Sequence, residues 1–158
     1  MKKFYDVLKI LELLEDTLAN LYETLSQKFA DDKKLSALFY RLNIDEISHR
    51  DLVKYQMRLL KKSESEDFAD IEIDISEIEE LLDKAKEAIL SLDGIDPPKA
   101  IELAMEIESS AAERHYNSAI RQSNPKLAKL LHSLGEGDKH HLQRLHNYIK
   151  SSEFEIQS

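Results

Sequence analysis

Residues 3–30 read KFYDVLKILELLEDTLANLYETLSQKFA, and their apolar positions recur at intervals of three and four. That spacing places these side chains on one face of a long helix. Glu15 interrupts the apolar face, where a buried carboxylate without a partner is costly. The stretch therefore predicts a core helix that carries one acid inward. Its apolar face consists of Val7, Leu8, Leu11, Leu14, Leu18, Leu21, Leu25 and Phe29.

A second long helix is predicted to follow after a short acidic link. Asp31 and Asp32 can cap its start, and the helical period continues to about residue 62. Because the link is short, the two helices must fold back on each other. We therefore predict an antiparallel hairpin over about residues 3–62.

The segment after this hairpin predicts a long crossover over about residues 63–96. Residues 69–75 alternate apolar and acidic side chains, which indicates extended chain. Ser76 and Glu79 form a capping-box pattern before a short helix that ends near Gly94. The acidic run at 63–74 is expected to be solvated.

A second hairpin is predicted over about residues 97–151. Asp96-Pro97-Pro98 is a helix start signal, and Asn124-Pro125 ends that helix and opens the last one. The tail at 152–158 has no period and is expected to be frayed. Two hairpins joined by a long crossover with a short extra helix form the ferritin-like kind of four-helix bundle. The predicted fold is therefore all-α, with residues 1–158 as a single ferritin-like domain.

The composition excludes several function classes. The 158 residues include no Cys, which rules out disulfides, Cys-ligated metals and a thiol nucleophile. The net charge of −9 opposes binding to nucleic acid or to an anionic membrane surface. No stretch approaches the roughly 18–20 apolar residues of a spanning helix, and no cleavable signal is evident. The sequence thus predicts a soluble cytoplasmic protein that binds neither nucleic acid nor membrane.

One acid-x-x-His motif lies on the second helix of each hairpin. Residues 45–49 read DEISH and residues 137–141 read GDKHH, so each motif places an acid and a histidine on one helix face. About one such motif is expected by chance in this composition, so the motifs alone are weak. Their register is more informative, because one offset of 92 residues superimposes both acids and both histidines. The pairs are Glu46 with His49 and Asp138 with His141.

The first helix of each hairpin contributes one isolated acid at the same height. An offset of 93 residues carries Glu15 to Glu108, and each interrupts an apolar face. Four carboxylates and two imidazoles should therefore meet inside the bundle, as in di-iron and di-manganese carboxylate bundles. Two divalent cations would neutralise the four acids, and an oxygen-rich set without sulfur suits iron or manganese. The predicted metal ligands are Glu15, Glu46, His49, Glu108, Asp138 and His141.

Three further residues are candidates for contacts with these ligands. Tyr22 lies seven residues after Glu15 and Tyr116 eight after Glu108, so each hydroxyl could donate to a carboxylate of the opposite hairpin. His115 is either a partner of the ligands or an ordinary histidine at the core edge, and the second interpretation is favoured. His140 is expected to face solvent, with the reverse assignment of His140 and His141 as the alternative. Surface positions are also expected for His132 and His146.

These motifs resemble the rubrerythrin-related branch of the ferritin-like superfamily, without a rubredoxin domain, over about residues 3–151. The resemblance implies two iron ions, with manganese or zinc as substitutes, and a homodimer. It implies peroxide, dioxygen or ferrous iron as the small-molecule substrate. Because the chain has no Cys, electrons would come from a separate donor such as a rubredoxin, or from substrate iron. In such proteins the acids corresponding to Glu46 and Asp138 bridge the metals, those corresponding to Glu15 and Glu108 are terminal, and His49 and His141 bind one metal each.

Two positions depart from the family pattern. Asp138 stands where the family has Glu, which shortens one bridge by a methylene group. Ala111 stands where rubrerythrins proper carry an extra Glu, three residues after the Glu of the third helix. Two functions remain open. One is a di-iron carboxylate oxidoreductase of rubrerythrin type that reduces peroxide or oxidises ferrous iron. The other is a non-catalytic bundle that binds metal or a partner, and the motifs lean towards the enzyme.

Overall fold

The computed structural model describes residues 2–62, 70–71, 75–122 and 124–157. These residues form five helices and one pair of two-residue strands, so the fold is all-α, as predicted. The helices and strands, in chain order, are β1 (Lys2–Lys3), α1 (Phe4–Lys28), α2 (Lys33–Lys62), β2 (Asp70–Ile71), α3 (Ser76–Leu90), α4 (Pro97–Arg121) and α5 (Pro125–Gln157).

The first hairpin consists of α1 packed along α2. Its turn is short, and Asp32 Oδ1 accepts a hydrogen bond from the backbone N–H of Leu35 at 3.1 Å, as expected of a helix cap. Further along the hairpin, Asn43 Nδ2 donates to the carbonyl of Ala19 at 2.7 Å. This buried bond ties the two helices together and fixes the height of α2 against α1.

The second hairpin consists of α4 packed along α5. Asp96 Oδ1 accepts from Lys99 N at 3.0 Å, with proline in the first turn of α4, as the start signal predicts. Asn124 Oδ1 likewise accepts from the N–H groups of Lys126 and Leu127 at the start of α5. Helix α5 continues to Gln157, beyond the predicted end near 151, because residues 151–157 contain no Gly or Pro to end it.

The crossover agrees with the sequence only in part. Asp70–Ile71 is extended and pairs antiparallel with Lys2–Lys3, while residues 63–69 and 72–74 lie outside the described residues. The capping-box interpretation of Ser76 is wrong. Ser76 is the first helical residue, and the cap position is held by Ile75, which is buried and has no side-chain acceptor. Helix α3 ends at Leu90, a few residues before the predicted stop.

The core lies between the two hairpins, with α3 packed against α1 and α4. Leucines from α1, α2 and α5 dominate the core, and Tyr22 stacks on Phe39 with ring centroids 6.2 Å apart. Among the described residues, no helix has the length and hydropathy that a membrane span requires. The interior also holds a layer of ionisable side chains, which forms the candidate site.

Candidate metal centre

Ionisable side chains from all four long helices meet inside the bundle. Each helix presents them because spacings of three, four or seven residues return to the same face. The structure brings together all six predicted ligands, and it adds His115 from α4. All of these except His49 are at most 1% exposed, and the His49 side chain is 16% exposed. The cluster comprises Glu15 on α1, Glu46 and His49 on α2, Glu108 and His115 on α4, and Asp138 and His141 on α5.

Two groups of side chains within the cluster have the spacing of metal ligands. In each group, one candidate ligand atom per residue lies within 4.8 Å of the corresponding atoms of the others. Glu46 and His141 belong to both groups, Asp138 belongs only to the larger one, and Glu15 lies beside the smaller one without belonging to it. The groups are Glu46, His49 and His141, and Glu46, Glu108, Asp138 and His141. The two groups thus share one carboxylate and one imidazole, and together they form a candidate metal-binding cluster.

His141 lies between the acids of the larger group. Its Nδ1 is 3.0 Å from Glu46 Oε1 and 3.2 Å from Glu108 Oε2. Its other nitrogen, Nε2, is 3.5 Å from Asp45 Oδ2 near the surface. Asp45 thus fixes the imidazole from behind, as a carboxylate often does for a metal-binding histidine. The ring presents Nδ1 to the interior of the site.

His49 occupies the corresponding place on the other side of Glu46. Its Nδ1 is 3.3 Å from Glu46 Oε2 and 3.6 Å from Glu15 Oε2, and its ring lies 5.4 Å from that of His141. The ring reaches this position past Gly137 of α5. A Cβ built at Gly137 would overlap Nε2 and Cε1 of His49. The lack of a side chain at Gly137 is therefore what makes room for the imidazole.

Two neutral side chains support the carboxylates of the second hairpin. The Tyr22 hydroxyl donates to Glu108 Oε1 at 2.6 Å, across from the first hairpin. His115 Nδ1 lies 2.6 Å from Asp138 Oδ2. Both contacts are buried, so each orients its carboxylate without competition from water.

Burial and the charges of neighbouring acids raise the pKa values of two acids of the cluster. Burial, followed by the charge of Glu46, raises the pKa of Glu15 from 4.5 to about 7. Burial, followed by the charge of Glu108, raises the pKa of Asp138 well above its usual range. Without a cation, the cluster is therefore partly neutralised by protons on its own acids.

The imidazoles respond to the same acids in different ways. Burial opposes the charged form of His49, but the nearby carboxylates of Glu15 and Glu46 outweigh burial and raise its pKa to about 11. Burial also opposes the charged form of His141, yet the charge of Glu108 raises the pKa of that residue. For His115 burial prevails, and its pKa is lowered. The surroundings therefore favour the charged form of His49 and His141 but the neutral form of His115.

The residues fit a bound cation, because many of their polar atoms have no hydrogen-bond partner. Buried N and O atoms are normally paired, since an unpaired one costs about 1–3 kcal/mol. Here they face one another at ligand distances instead, as Glu46 Oε1 and His141 Nδ1 do at 3.0 Å. The unpaired atoms of the cluster are Glu15 Oε1 and Oε2, Glu46 Oε1, Glu108 Oε2, His115 Nε2 and His141 Nδ1. A candidate carboxylate and histidine metal-binding cluster is therefore present.

Some residues singled out in the sequence lie away from the cluster. Tyr116 is 48% exposed, with the Lys139 ammonium 5.6 Å from its ring centroid, so the structure does not bring it to the ligands. Ala111 is buried among the core residues and supplies no carboxylate. Three histidines are exposed, namely His132, His140 and His146.

Sequence reasoning underrated His115 and missed Asp45 and Gly137. A signal for His115 was available, because the offset of 93 that relates Glu15 to Glu108 also carries Tyr22 to His115. The favoured interpretation of His115 as an ordinary core-edge histidine is wrong, since its imidazole is fully buried beside Asp138. Asp45 and Gly137 act across helix interfaces and had no comparable signal.

Comparison with known proteins identifies the family of the chain. The family model for rubrerythrin matches residues 13–149, which include every residue of the cluster. Comparison with curated proteins and with solved structures gives no significant match.

Proposed function

The chain belongs to the rubrerythrin family, and on that premise we propose that its buried cluster binds two iron ions and serves as an oxidoreductase centre. In this proposal peroxide is reduced, or ferrous iron is oxidised, at the dinuclear site. The observation that carries the proposal is Glu46, which belongs to both ligand groups and has a buried oxygen without a hydrogen-bond partner. A carboxylate in that position can bridge two cations.

Each ligand has a definite role in the proposal. Glu46 would bridge the two ions, Glu15 and His49 would bind the ion on the side of the first hairpin, and His141, which lies in both ligand groups, would bind the other ion. Glu108 and Asp138 complete the second ion's ligands, held by Tyr22 and His115 respectively. Because Asp138 belongs to one group only, we assign it to that single ion rather than to a second bridge.

The protein's own residues would orient the ligands and restrict access to them. Iron supplies the redox chemistry, and two electrons with two protons convert one hydrogen peroxide into two waters. Core residues above and below the cluster keep bulk water away. The side chain of His49, 16% exposed, marks where a small oxidant could approach. With no Cys in these 158 residues, a separate carrier such as a rubredoxin, or ferrous iron itself, would supply the electrons.

Ferrous iron oxidation is favoured as the second candidate by Ala111. This buried residue stands where rubrerythrins proper carry an extra Glu, so a ligand associated with their peroxidase cycle is missing. Oxidation of ferrous iron needs no such ligand in principle. Binding of metal without turnover is the remaining alternative.

Metal content and turnover test the proposal in sequence. Protein reconstituted anaerobically with ferrous iron should hold about two ions per chain. It should then consume hydrogen peroxide, or oxidise added ferrous iron, faster than free iron does. Glu46→Ala should lose metal and activity together, whereas His140→Ala, one residue from a ligand but exposed, should retain both. Less than half an equivalent of iron would refute the metal site. Two bound ions without turnover, with a competent donor present, would leave a binding protein.

The proposal includes a homodimer, as the family implies. Sedimentation of the iron-loaded protein should give twice the 18.3 kDa mass of the chain. A monomer would remove this part of the proposal and leave the metal site intact, since all of the ligands named above come from one chain.

A further inference from the structure

We propose that His115 is a third imidazole ligand of the metal centre, binding through Nε2 to the ion on the Glu15 side. The inference rests on the proposed dinuclear site and deepens it. It assigns a seventh protein ligand and makes the two ions unequal in nitrogen donors.

His115 projects into the site from the same place in the second hairpin that Tyr22 has in the first. The offset of 93 residues relates the two. Tyr22 has one polar atom, which it uses to donate to Glu108. His115 has two, and only Nδ1 is used, at 2.6 Å from Asp138 Oδ2. The ring is fully buried, so its Nε2 cannot be satisfied by bulk water.

The contact with Asp138 determines what Nε2 can do. When a cation holds Asp138 as a carboxylate, that side chain only accepts hydrogen bonds, so the proton of the imidazole must be on Nδ1. Nε2 then presents a bare lone pair. It has no hydrogen-bond partner among the described residues. A neutral imidazole with one nitrogen held by a carboxylate and the other bare is the usual state of a metal-binding histidine.

The bare nitrogen faces Glu15. His115 Nε2 is 3.9 Å from Glu15 Oε1, and that oxygen is also buried without a partner. Two lone pairs that face each other repel unless a cation lies between them. Ligand atoms about 2.1 Å from one ion can be up to about 4.2 Å apart. The observed separation therefore accommodates one shared ion.

The number of protein ligands available to each ion also places His115 on the Glu15 side of the site. One ion has four protein ligands in Glu46, Glu108, Asp138 and His141. The smaller group consists of Glu46, His49 and His141, and Glu15 lies beside it, with Oε2 3.6 Å from His49 Nδ1. With His141 assigned to the first ion, the ion on the Glu15 side has Glu15, Glu46 and His49, and His115 supplies its fourth ligand.

An alternative role for His115 is to orient Asp138 without touching metal. Both roles use the bond from Nδ1, so loss of activity on mutation would not separate them. They differ at Nε2, which is metal-bound in one case and bare in the other. The nitrogen resonance of an imidazole distinguishes protonated, bare and metal-bound states.

The decisive experiment uses the full chain loaded with zinc, with ¹⁵N-labelled histidine. Zinc is diamagnetic and takes imidazole and carboxylate ligands. We expect the Nε2 signal of His115 to move on zinc binding from its metal-free position to that of a metal-bound nitrogen, with Nδ1 still protonated. His49 and His141 should show the corresponding change at Nδ1. A bare or protonated Nε2 in protein that holds two zinc ions would overturn this inference and leave the proposed function standing.

Zinc titration of variants gives a second measurement. His115→Gln keeps an amide N–H that can donate to Asp138 but replaces the imidazole nitrogen with at most a weaker carbonyl oxygen ligand, so one of the two sites should weaken by at least about tenfold. His132→Gln, an exposed histidine on α5, should leave both affinities unchanged. Equal affinities in wild type and His115→Gln would refute ligation by His115. Wild-type protein that binds less than one zinc would instead refute the dinuclear site itself, and this inference with it.

Discussion

Substitution of Gly137 by Ala tests how the site is built, because two effects of opposite sign compete. Gly137 lies inside helix α5, where replacing Gly by Ala normally stabilises a protein by about 1 kcal/mol. Here the added Cβ would overlap the imidazole of His49. The ring can turn aside only by giving up its contacts with Glu46 at 3.3 Å and Glu15 at 3.6 Å.

We expect this clash to outweigh the helix propensity. Overpacking typically costs about 1–3 kcal/mol, so Gly137→Ala should change the unfolding free energy of the metal-free protein by between zero and about −2 kcal/mol. In a His49→Ala background the clash is absent, and the same substitution should stabilise by about 1 kcal/mol. The resulting coupling energy between positions 49 and 137 is about 1–3 kcal/mol. Urea unfolding of the four proteins measures it.

Metal binding gives the more sensitive readout of the same substitution. Gly137→Ala in the wild-type background should hold one ion fewer, because His49 is displaced from its acids. Gly135→Ala is the matched control on the same helix, since its added Cβ comes no closer than 3.4 Å to any neighbour, the Cβ of His115. If Gly137→Ala stabilised the protein equally in both backgrounds and kept both ions, the role assigned to Gly137 would be wrong.

Two further outcomes follow from the electrostatics and from Tyr22. Metal-free protein should lose stability as pH rises from about 5 to 9, because groups with raised folded-state pKa values stabilise only while protonated. Glu15, raised from 4.5 to about 7, acts first, and His49, raised from 6.5 to about 11, follows. His115, whose pKa is lowered, opposes this trend only up to its unfolded value of 6.5. Zinc should make stability rise with pH instead, since it favours ionised carboxylates and neutral imidazoles. Urea unfolding midpoints measured at three pH values, with and without chelator, give the sign of the pH dependence, and a sign opposite to the one expected would contradict this account. Tyr22→Phe should destabilise by about 1–3 kcal/mol by leaving a buried carboxylate oxygen unpaired. Tyr116→Phe, at an exposed position, should stay within about 0.5 kcal/mol in the same denaturation assay, and equal effects of the two changes would contradict the assignment.

The inward position of His115 could be predicted from the helical period alone. Seven residues from Glu108 rotate a helix by about 700°, which is within about 20° of the same direction, whereas eight leave a residue about 80° away. His115 therefore points inward and Tyr116 outward, as their burial shows. Matching one tyrosine with another by chemical type obscured the fact that Tyr22 corresponds to His115.

The boundaries of α3 illustrate a different limit. Ser76 and Glu79 match a capping box, which would place Ser76 at the cap position before the helix. In the structure Ser76 is already helical, and Ile75 occupies the cap position. Ile75 is buried against the core, which is a tertiary contact. The free energy of burying its side chain competes with that of the local hydrogen bond that the capping-box pattern predicts. Local patterns of this kind predict that a helix exists more reliably than they predict its first residue.

The sequence by itself determined the helices, their pairing into two hairpins, and the equal heights of the two acid-x-x-His motifs. It could do so because helical periodicity, capping residues and short links are local properties, and because a repeated offset preserves height along the bundle. Only the tertiary structure decided that Glu46 is shared by two ligand groups, that Asp138 lies in one, and that Gly137 makes room for His49. Those relations join residues of different helices. They depend on how far each helix is rotated and how closely it packs, which differ by a few ångströms between arrangements that the same periodicity allows.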